Sequence, residues 1–244
     1  MTTPGWNGHG QTDVGMVRSE NQDSFACLNT CGIWCVADGM GGHKEGSIAS
    51  HLITQSLESL EALEFRSFSE LLNKAQLVLD EANNALCDMS KSFYVDDVIG
   101  TTVIALLIHE EQAAVLWAGD SRLYRMRGNS FELITRDHTQ YEVLVNQGVI
   151  STDTPEGTHP ASHVLTRALG VNTHTSVELK YLDLDIGDRF LLCSDGLSNM
   201  IEQLELGKTL YYSEDKQRAV ANLVNMALAR QANDNVTALI VDRE

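Results

Sequence analysis

The stretch "DSFACLNTCGIWCVADGMGGHKEG", residues 23–46, decides how the chain folds. It holds two apolar runs, 24–28 and 32–37, on either side of a short polar turn at 29–31. Such runs around a short turn read as a β-hairpin. Placing Leu28 opposite Ile33 and counting outward brings Asp23 opposite Asp38. Two carboxylates facing each other at the open end of a hairpin are unfavourable unless a cation or a proton neutralises them. Four glycines then fall within residues 39–46, with His43 and Lys44 among them. A Walker-type phosphate loop needs Ser or Thr directly after the lysine. Glu45 stands there instead, which leaves a metal site or a tight Asp-Gly turn.

The same arrangement recurs along the chain. "TVIALLI" (102–108) and "AAVLWAG" (113–119) read as a second hairpin. With Ile108 opposite Ala113, Thr101 is expected opposite Asp120, so that "GTT" (100–102) meets "GDSR" (119–122) at one sheet end. Asp195 follows an apolar strand in "FLLCSDG", and Asp234 precedes one in "NDNVTALIV". Acids at strand ends in four separate places exceed what turn chemistry needs. Hard carboxylate oxygens without a Cys/His motif suit Mg²⁺ or Mn²⁺. Two such ions about 4 Å apart can activate a water and clamp a phosphoryl group.

Helices are expected at 45–62, 69–90, 139–147 and 214–230. The second carries Leu71, Leu72, Ala75, Val78, Leu79, Ala82, Ala85 and Leu86 on one stripe. "RLYRMR" and "SFELIT" form a hairpin around Gly128-Asn129, and "VELKYLDL", "RFLLCS" and "NVTALIV" read as further strands. Residues 148–163 hold Pro155 and Pro160 and form a long irregular segment, the mark of a functional loop. Adjacent hairpins imply mainly antiparallel sheets. Their apolar runs lack strict alternation, which implies cover on both faces. Two stacked sheets with helices outside satisfy both conditions.

The chain has 244 residues, 43% hydrophobic and 21% charged. That suits one soluble domain with a well-filled core. A net charge of −17 opposes nucleic acid and anionic membranes as partners. No run is apolar enough to span a bilayer, and no secretory signal is visible. Five cysteines without such a signal read as reduced thiols in a cytoplasm. Cys27, Cys35 and Cys193 lie in apolar runs and read as core residues.

In order, "RSENQD" (18–23), "DGMGGH" (38–43), "GTT" (100–102), "AGDSR" (118–122), "DHT" (137–139), "LTRALG" (165–170), "SDGL" (194–197) and "DNVT" (234–237) resemble the motifs of metal-dependent protein phosphatases of type 2C, the PPM family. The details resemble its bacterial branch. The resemblance runs from about residue 11 to 241. It implies an α+β fold: a four-layer α/β/β/α sandwich forming a single domain over 1–244, with a flap segment at about 139–165. It implies a binuclear Mg²⁺/Mn²⁺ site in which Asp38 bridges the ions. The Gly39 carbonyl, Asp195 and Asp234 complete the direct ligands, and Asp23 acts largely through water. Asp120 and Asp195 would hold a third, weaker ion. Arg18 would grip the substrate phosphate, and metal-activated water would hydrolyse phosphoserine or phosphothreonine in one step.

The chain departs from that pattern at two points. Met40 replaces the His that many eukaryotic members carry after Asp-Gly, so His43 is read as a general acid, an orienting residue or a surface side chain. Gln22 replaces a frequent Glu. Arg122, Asp137, Thr166 and Arg167 are expected to form a structural network, and Thr101 and Asn235 to support Asp120 and Asp234. The implied partners are phosphoproteins, substrates of a cognate Ser/Thr kinase, for a monomeric cytoplasmic enzyme. One rival reading is an inactive relative that binds a kinase or phosphopeptide; the presence of Arg18, Asp38, Asp195 and Asp234 opposes it. The other is a two-metal phosphodiesterase or nuclease, which the charge opposes.

Overall fold

The computed structural model describes residues 5–41, 45–93, 99–151, 159–174 and 177–243. Strands β2 (Asp23–Leu28) and β3 (Ile33–Met40) form the expected hairpin, with Leu28 opposite Ile33 and Asp23 opposite Asp38. Short β4 (Gly100–Thr101) pairs with the end of β3. Strand β5 (Val103–His109) pairs with both β3 and β6 (Gln112–Ala118). With β9 (Glu178–Leu182) these make an antiparallel 6-stranded sheet in the order β2-β3-β5-β6-β9, β4 lying off that path.

The second sheet has 5 strands. It runs β1 (Trp6–Asp13), β11 (Val236–Arg243), β10 (Arg189–Cys193), β7 (Arg122–Arg127) and β8 (Ser130–Leu133), again antiparallel. Alternate residues of the buried strands face different cores, which is why their sequences read as unbroken apolar runs. Trp34, Val36, Ile104 and Leu106 meet Phe190, Leu192 and Leu239 between the sheets. Ile33, Cys35 and Leu107 face outward onto α1 (Glu45–Glu58) and α2 (Phe68–Phe93). Leu191, Cys193 and Ile240 face α5 (Gln203–Tyr212) and α6 (Lys216–Ala229). The result is the expected four-layer α/β/β/α sandwich.

Several features differ from the sequence expectations. β1, "WNGHGQTD", carries no strand pattern, yet it pairs along its whole length with β11. Its glycines serve close approach between sheets. A Cβ on Gly8 would lie 2.4 Å from the Trp34 indole, and one on Gly10 would lie 2.7 Å from the Phe25 ring. Thr101 is not opposite Asp120. β4 continues the register of β5 on β3, so Thr101 pairs with Gly39 on one side and bridges to Leu169 on the other. Helix α5 was not expected, nor was α4 (Asp195–Ser198), one turn starting at Asp195. All five cysteines are free, and Cys27 is half-buried rather than fully enclosed. No helix among the described residues is long and apolar enough to cross a membrane.

Candidate active site

The acids expected together are together. Asp38, Asp120, Asp195 and Asp234 line one cleft of about 1190 Å³, with Gly39 and Arg18. Each acid arrives at a strand end. Asp38 sits near the end of β3, Asp120 follows β6, Asp195 follows β10, and Asp234 precedes β11.

The main chain at Asp38 is held from both sides. Thr101 Oγ1 donates to the Asp38 carbonyl (2.9 Å), and the Asp38 N–H donates to Thr102 Oγ1 (3.0 Å). The Thr102 N–H also donates to that carbonyl (2.8 Å). Thr102 Oγ1 in turn meets Ser121 Oγ, beside Asp120, at 2.8 Å. The two hairpins are thereby tied through Asp38, and Thr101 supports Asp38 rather than Asp120. Gly39 must be glycine, because a Cβ would lie 2.0 Å from the Gly46 carbonyl oxygen.

Asp23 is buried behind the cleft, 3% exposed. Its Oδ2 accepts from Ser194 Oγ (2.7 Å) and Thr237 Oγ1 (2.6 Å), both on the opposite sheet. Thr237 gives its one proton to Asp23, so Thr12 Oγ1, 2.7 Å away, must donate to Thr237. Asn21 Nδ2 then donates to Thr12 (2.9 Å). Asp23 Oδ1 is buried with no protein partner. Burial, then the Asp195 and Asp234 charges, push the Asp23 carboxyl up to about 7, against the two hydroxyl bonds. Asp38 is raised by burial first and then by Asp23, Asp195, Asp120 and Asp234. Burial raises Asp120 and Asp195 too, with further contributions from Asp195 and Asp234 respectively. An orphaned buried oxygen among mutually repelling carboxylates fits a divalent cation. Among the described residues no three His, Cys, Asp or Glu groups close on a single point. An ion here would therefore complete its shell with a backbone carbonyl and water, as Mg²⁺ commonly does.

Arg18 is 54% exposed, and its Nη2 meets Asp234 Oδ2 at 2.8 Å. Asn235 holds the segment that carries Arg18. Its amide donates to the Val14 and Glu20 carbonyls and accepts from the Gln22 N–H, while its own N–H donates to Asp234 Oδ1. Arg122 and Asp137 form the expected buried ion pair, with Nη2 to Oδ2 at 2.7 Å. Arg167 reaches Glu178 at 3.4 Å. His43 lies outside the described residues. So does part of the expected flap, residues 152–158, whose flanks form α3 (Gln140–Asn146) and a 3-10 turn at Pro160–His163. Ser194, Thr102 and Thr237 are site residues that were not expected from the sequence. All three sit inside quoted motifs, "GTT", "SDGL" and "DNVT", so the signal was present.

A family model described as Protein phosphatase 2C matches residues 16–239. A serine/threonine phosphatase stp of Listeria monocytogenes is 30% identical over 239 residues, covering 96% of this chain and 94% of that protein. Two solved structures superpose closely. PppA of Pseudomonas aeruginosa, described as a key regulatory component of T6SS, has a TM-score of 0.89 at 35% identity, with 100% of both chains covered. The catalytic domain of the phosphatase PstP in complex with 2 manganese ions has a TM-score of 0.83 at 30% identity, with 98% of each chain covered. The sandwich and its acid-lined cleft are those of a phosphoprotein phosphatase, a hydrolase. The chain belongs to the protein phosphatase 2C family.

Proposed function

We propose that this protein is a metal-dependent serine/threonine phosphatase that removes phosphoryl groups from the substrates of a cognate Ser/Thr kinase. The observation that carries the reading is the gathering of Asp38, Asp120, Asp195 and Asp234 along one cleft, with Asp23 buried behind it and its Oδ1 unpartnered. Asp38, the Gly39 carbonyl, Asp195 and Asp234 would hold two Mg²⁺ or Mn²⁺ ions, with Asp23 contributing through water, and Asp120 with Asp195 would hold a third. Bound there, the ions would supply an activated water and neutralise charge on the phosphoryl group.

The chain's own residues do the rest. Thr101 and Thr102 keep the Asp38 carboxylate at the mouth of the hairpin. Arg18, exposed at the cleft, offers a planar guanidinium that can take two phosphate oxygens. His43 is the candidate donor of a proton to the leaving seryl or threonyl oxygen. The segment at about 139–165 would act as a flap over one 1–244 domain, in the cytoplasm.

The test is hydrolysis of a phosphothreonine peptide by metal-stripped protein with and without added Mn²⁺. Activity is expected only with the metal. Full activity in excess EDTA would remove the metal from the account.

A further inference from the structure

One buried polar side chain remote from the carboxylates is spent on the wall of the cleft. Asn83 lies in the middle of α2 and is 2% exposed. Asparagine is a poor choice inside a helix, because its amide competes with the backbone. Its neighbours on the same face are the apolar Leu79, Ala82 and Leu86. Both ends of the Asn83 amide are used on one loop. Oδ1 accepts from the Gly170 N–H at 2.8 Å, and Nδ2 donates to the Asn172 carbonyl at 3.0 Å. One turn further along α2, the Cys87 thiol donates to the Gly170 carbonyl at 3.4 Å.

The other side of the loop is equally committed. Leu169 and Thr101 exchange main-chain hydrogen bonds of 2.9 and 3.0 Å. Gly170 has φ +87°, and a Cβ there would lie 2.5 Å from the Ile99 carbonyl oxygen. Residues 169–172 are thus clamped between α2 and the strand that supports Asp38. Val171 and Asn172 of the clamp, and Thr173 and His174 after it, are exposed and line the same cleft as Asp38 and Asp195. A stiff backbone presenting exposed side chains is how a site reads a ligand without paying ordering entropy on binding.

We propose that Asn83 is a positioning residue for substrate selection. By holding Gly170 and Asn172 it sets the wall 171–174 against which the peptide flanking the phosphorylated residue lies. The inference rests on the phosphatase reading above. The phosphoryl group is held at the carboxylates and does not need this wall, so a small aryl phosphate should be insensitive to Asn83 and a phosphopeptide sensitive.

The test compares wild type with Asn83→Leu, which removes both bonds, and Asn83→Asp, which keeps the acceptor for Gly170. Each is assayed with Mn²⁺ on a phosphothreonine peptide and on p-nitrophenyl phosphate. For Asn83→Leu the peptide KM should rise roughly fivefold or more while kcat on the peptide stays within about twofold. Asn83→Asp should show the same split, but smaller. The aryl phosphate kcat/KM and the calorimetric Mn²⁺ affinity should hold within about twofold. Equal losses on both substrates, or an unchanged peptide KM, would overturn the proposal. Should Asn83→Leu not fold, Val171→Ala reads the wall directly, and an unchanged peptide KM there would overturn it too. Wild type that hydrolyses neither substrate would instead refute the phosphatase reading.

Discussion

The two ends of the 5-stranded sheet both gather carboxylates, and they treat them in opposite ways. At the end where β7 stops and β10 starts, every buried acid has a protein cation. Arg127 meets Asp188 through two nitrogens at 2.6 and 2.7 Å and reaches Asp183 at 2.6 Å. Arg189 and Lys216 share Asp242 at 3.0 and 2.7 Å. The bonds from Arg127 and Arg125 hold the Asp183 carboxyl down at about 2. At the other end, where β10 runs into Asp195 and Asp234 enters β11, burial and mutual repulsion push Asp23 up to about 7. Among the described residues, Asp23, Asp38, Asp120 and Asp195 have no ion pair. Acids paired with arginine support the fold, whereas acids left facing one another store repulsion that a divalent cation can relieve.

That contrast can be broken most severely at Asp38. Asp38→Asn should cut turnover on a phosphothreonine peptide by more than about a hundredfold, because it removes the proposed shared ligand and not an outer contact. The same substitution should leave the metal-stripped protein at least as stable as wild type near pH 8, since it deletes a repelling charge. Thermal melts in EDTA would check this, and a clear loss of Tm would contradict the contrast.

The far end should respond in reverse. Asp188→Ala leaves Arg127 without its buried partner and also removes the acceptor for the Asp185 N–H. A loss of about 3 kcal/mol in denaturant unfolding is expected. Mn²⁺-dependent turnover per folded molecule should not change.

Solution pH separates the ends without mutation. A carboxyl whose folded pKa is raised binds more protons folded than unfolded, so its contribution falls as pH rises from about 4 towards 7. Asp23 lies in that window, and the raised Asp38, Asp120 and Asp195 act in the same direction. Asp183 is the opposite case: its contribution is present above about 4 and is lost as pH falls towards 2. It is exposed and solvent-screened, so that effect should be small. Metal-stripped protein should therefore lose stability between pH 4 and 7, and saturating Mn²⁺ should restore more of it at pH 7.5 than at pH 5.5. Equal restoration at both would argue against carboxylates as the ligands.

Arg18 should show the smallest effect. Arg18→Ala is expected to raise the phosphopeptide KM by roughly tenfold. Calorimetric Mn²⁺ affinity should stay near wild type, because the guanidinium only pairs with one proposed ligand. Loss of metal binding would reassign Arg18 to the metal site.

Much of this arrangement was legible in the chain. The register of the first hairpin follows from two apolar runs and their turn, and it places Asp23 opposite Asp38 without further information. Unbroken apolar strands announced the four layers, since only doubly covered sheets can bury both faces. β1 was illegible because its glycines are chosen for the space left by Trp34 and Phe25, which belong to the other sheet. The position of Thr101 was misread because the pairing of β5 with β6 stops at Val103 and Ala118, and Leu169, distant in sequence, lies beside Thr101 where Asp120 was expected. The hydroxyls of Ser194 and Thr237 on Asp23 cross between sheets, over more than 170 residues of sequence. Their motifs, "SDGL" and "DNVT", mark both residues, but no local pattern says that their hydroxyls meet on Asp23.

At the acid end of the sheet Arg122 is taken up by Asp137 and the exposed Arg18 by Asp234, which leaves Asp23, Asp38, Asp120 and Asp195 without a protein cation and open to neutralisation by divalent ions. Calorimetric titration of metal-stripped wild type with Mn²⁺ near pH 7.5 tests this most directly, with Asp38→Asn alongside. Wild type should bind two ions tightly and a third weakly, and Asp38→Asn should lose the tight binding. Identical isotherms for the two proteins, or no binding to wild type, would contradict it.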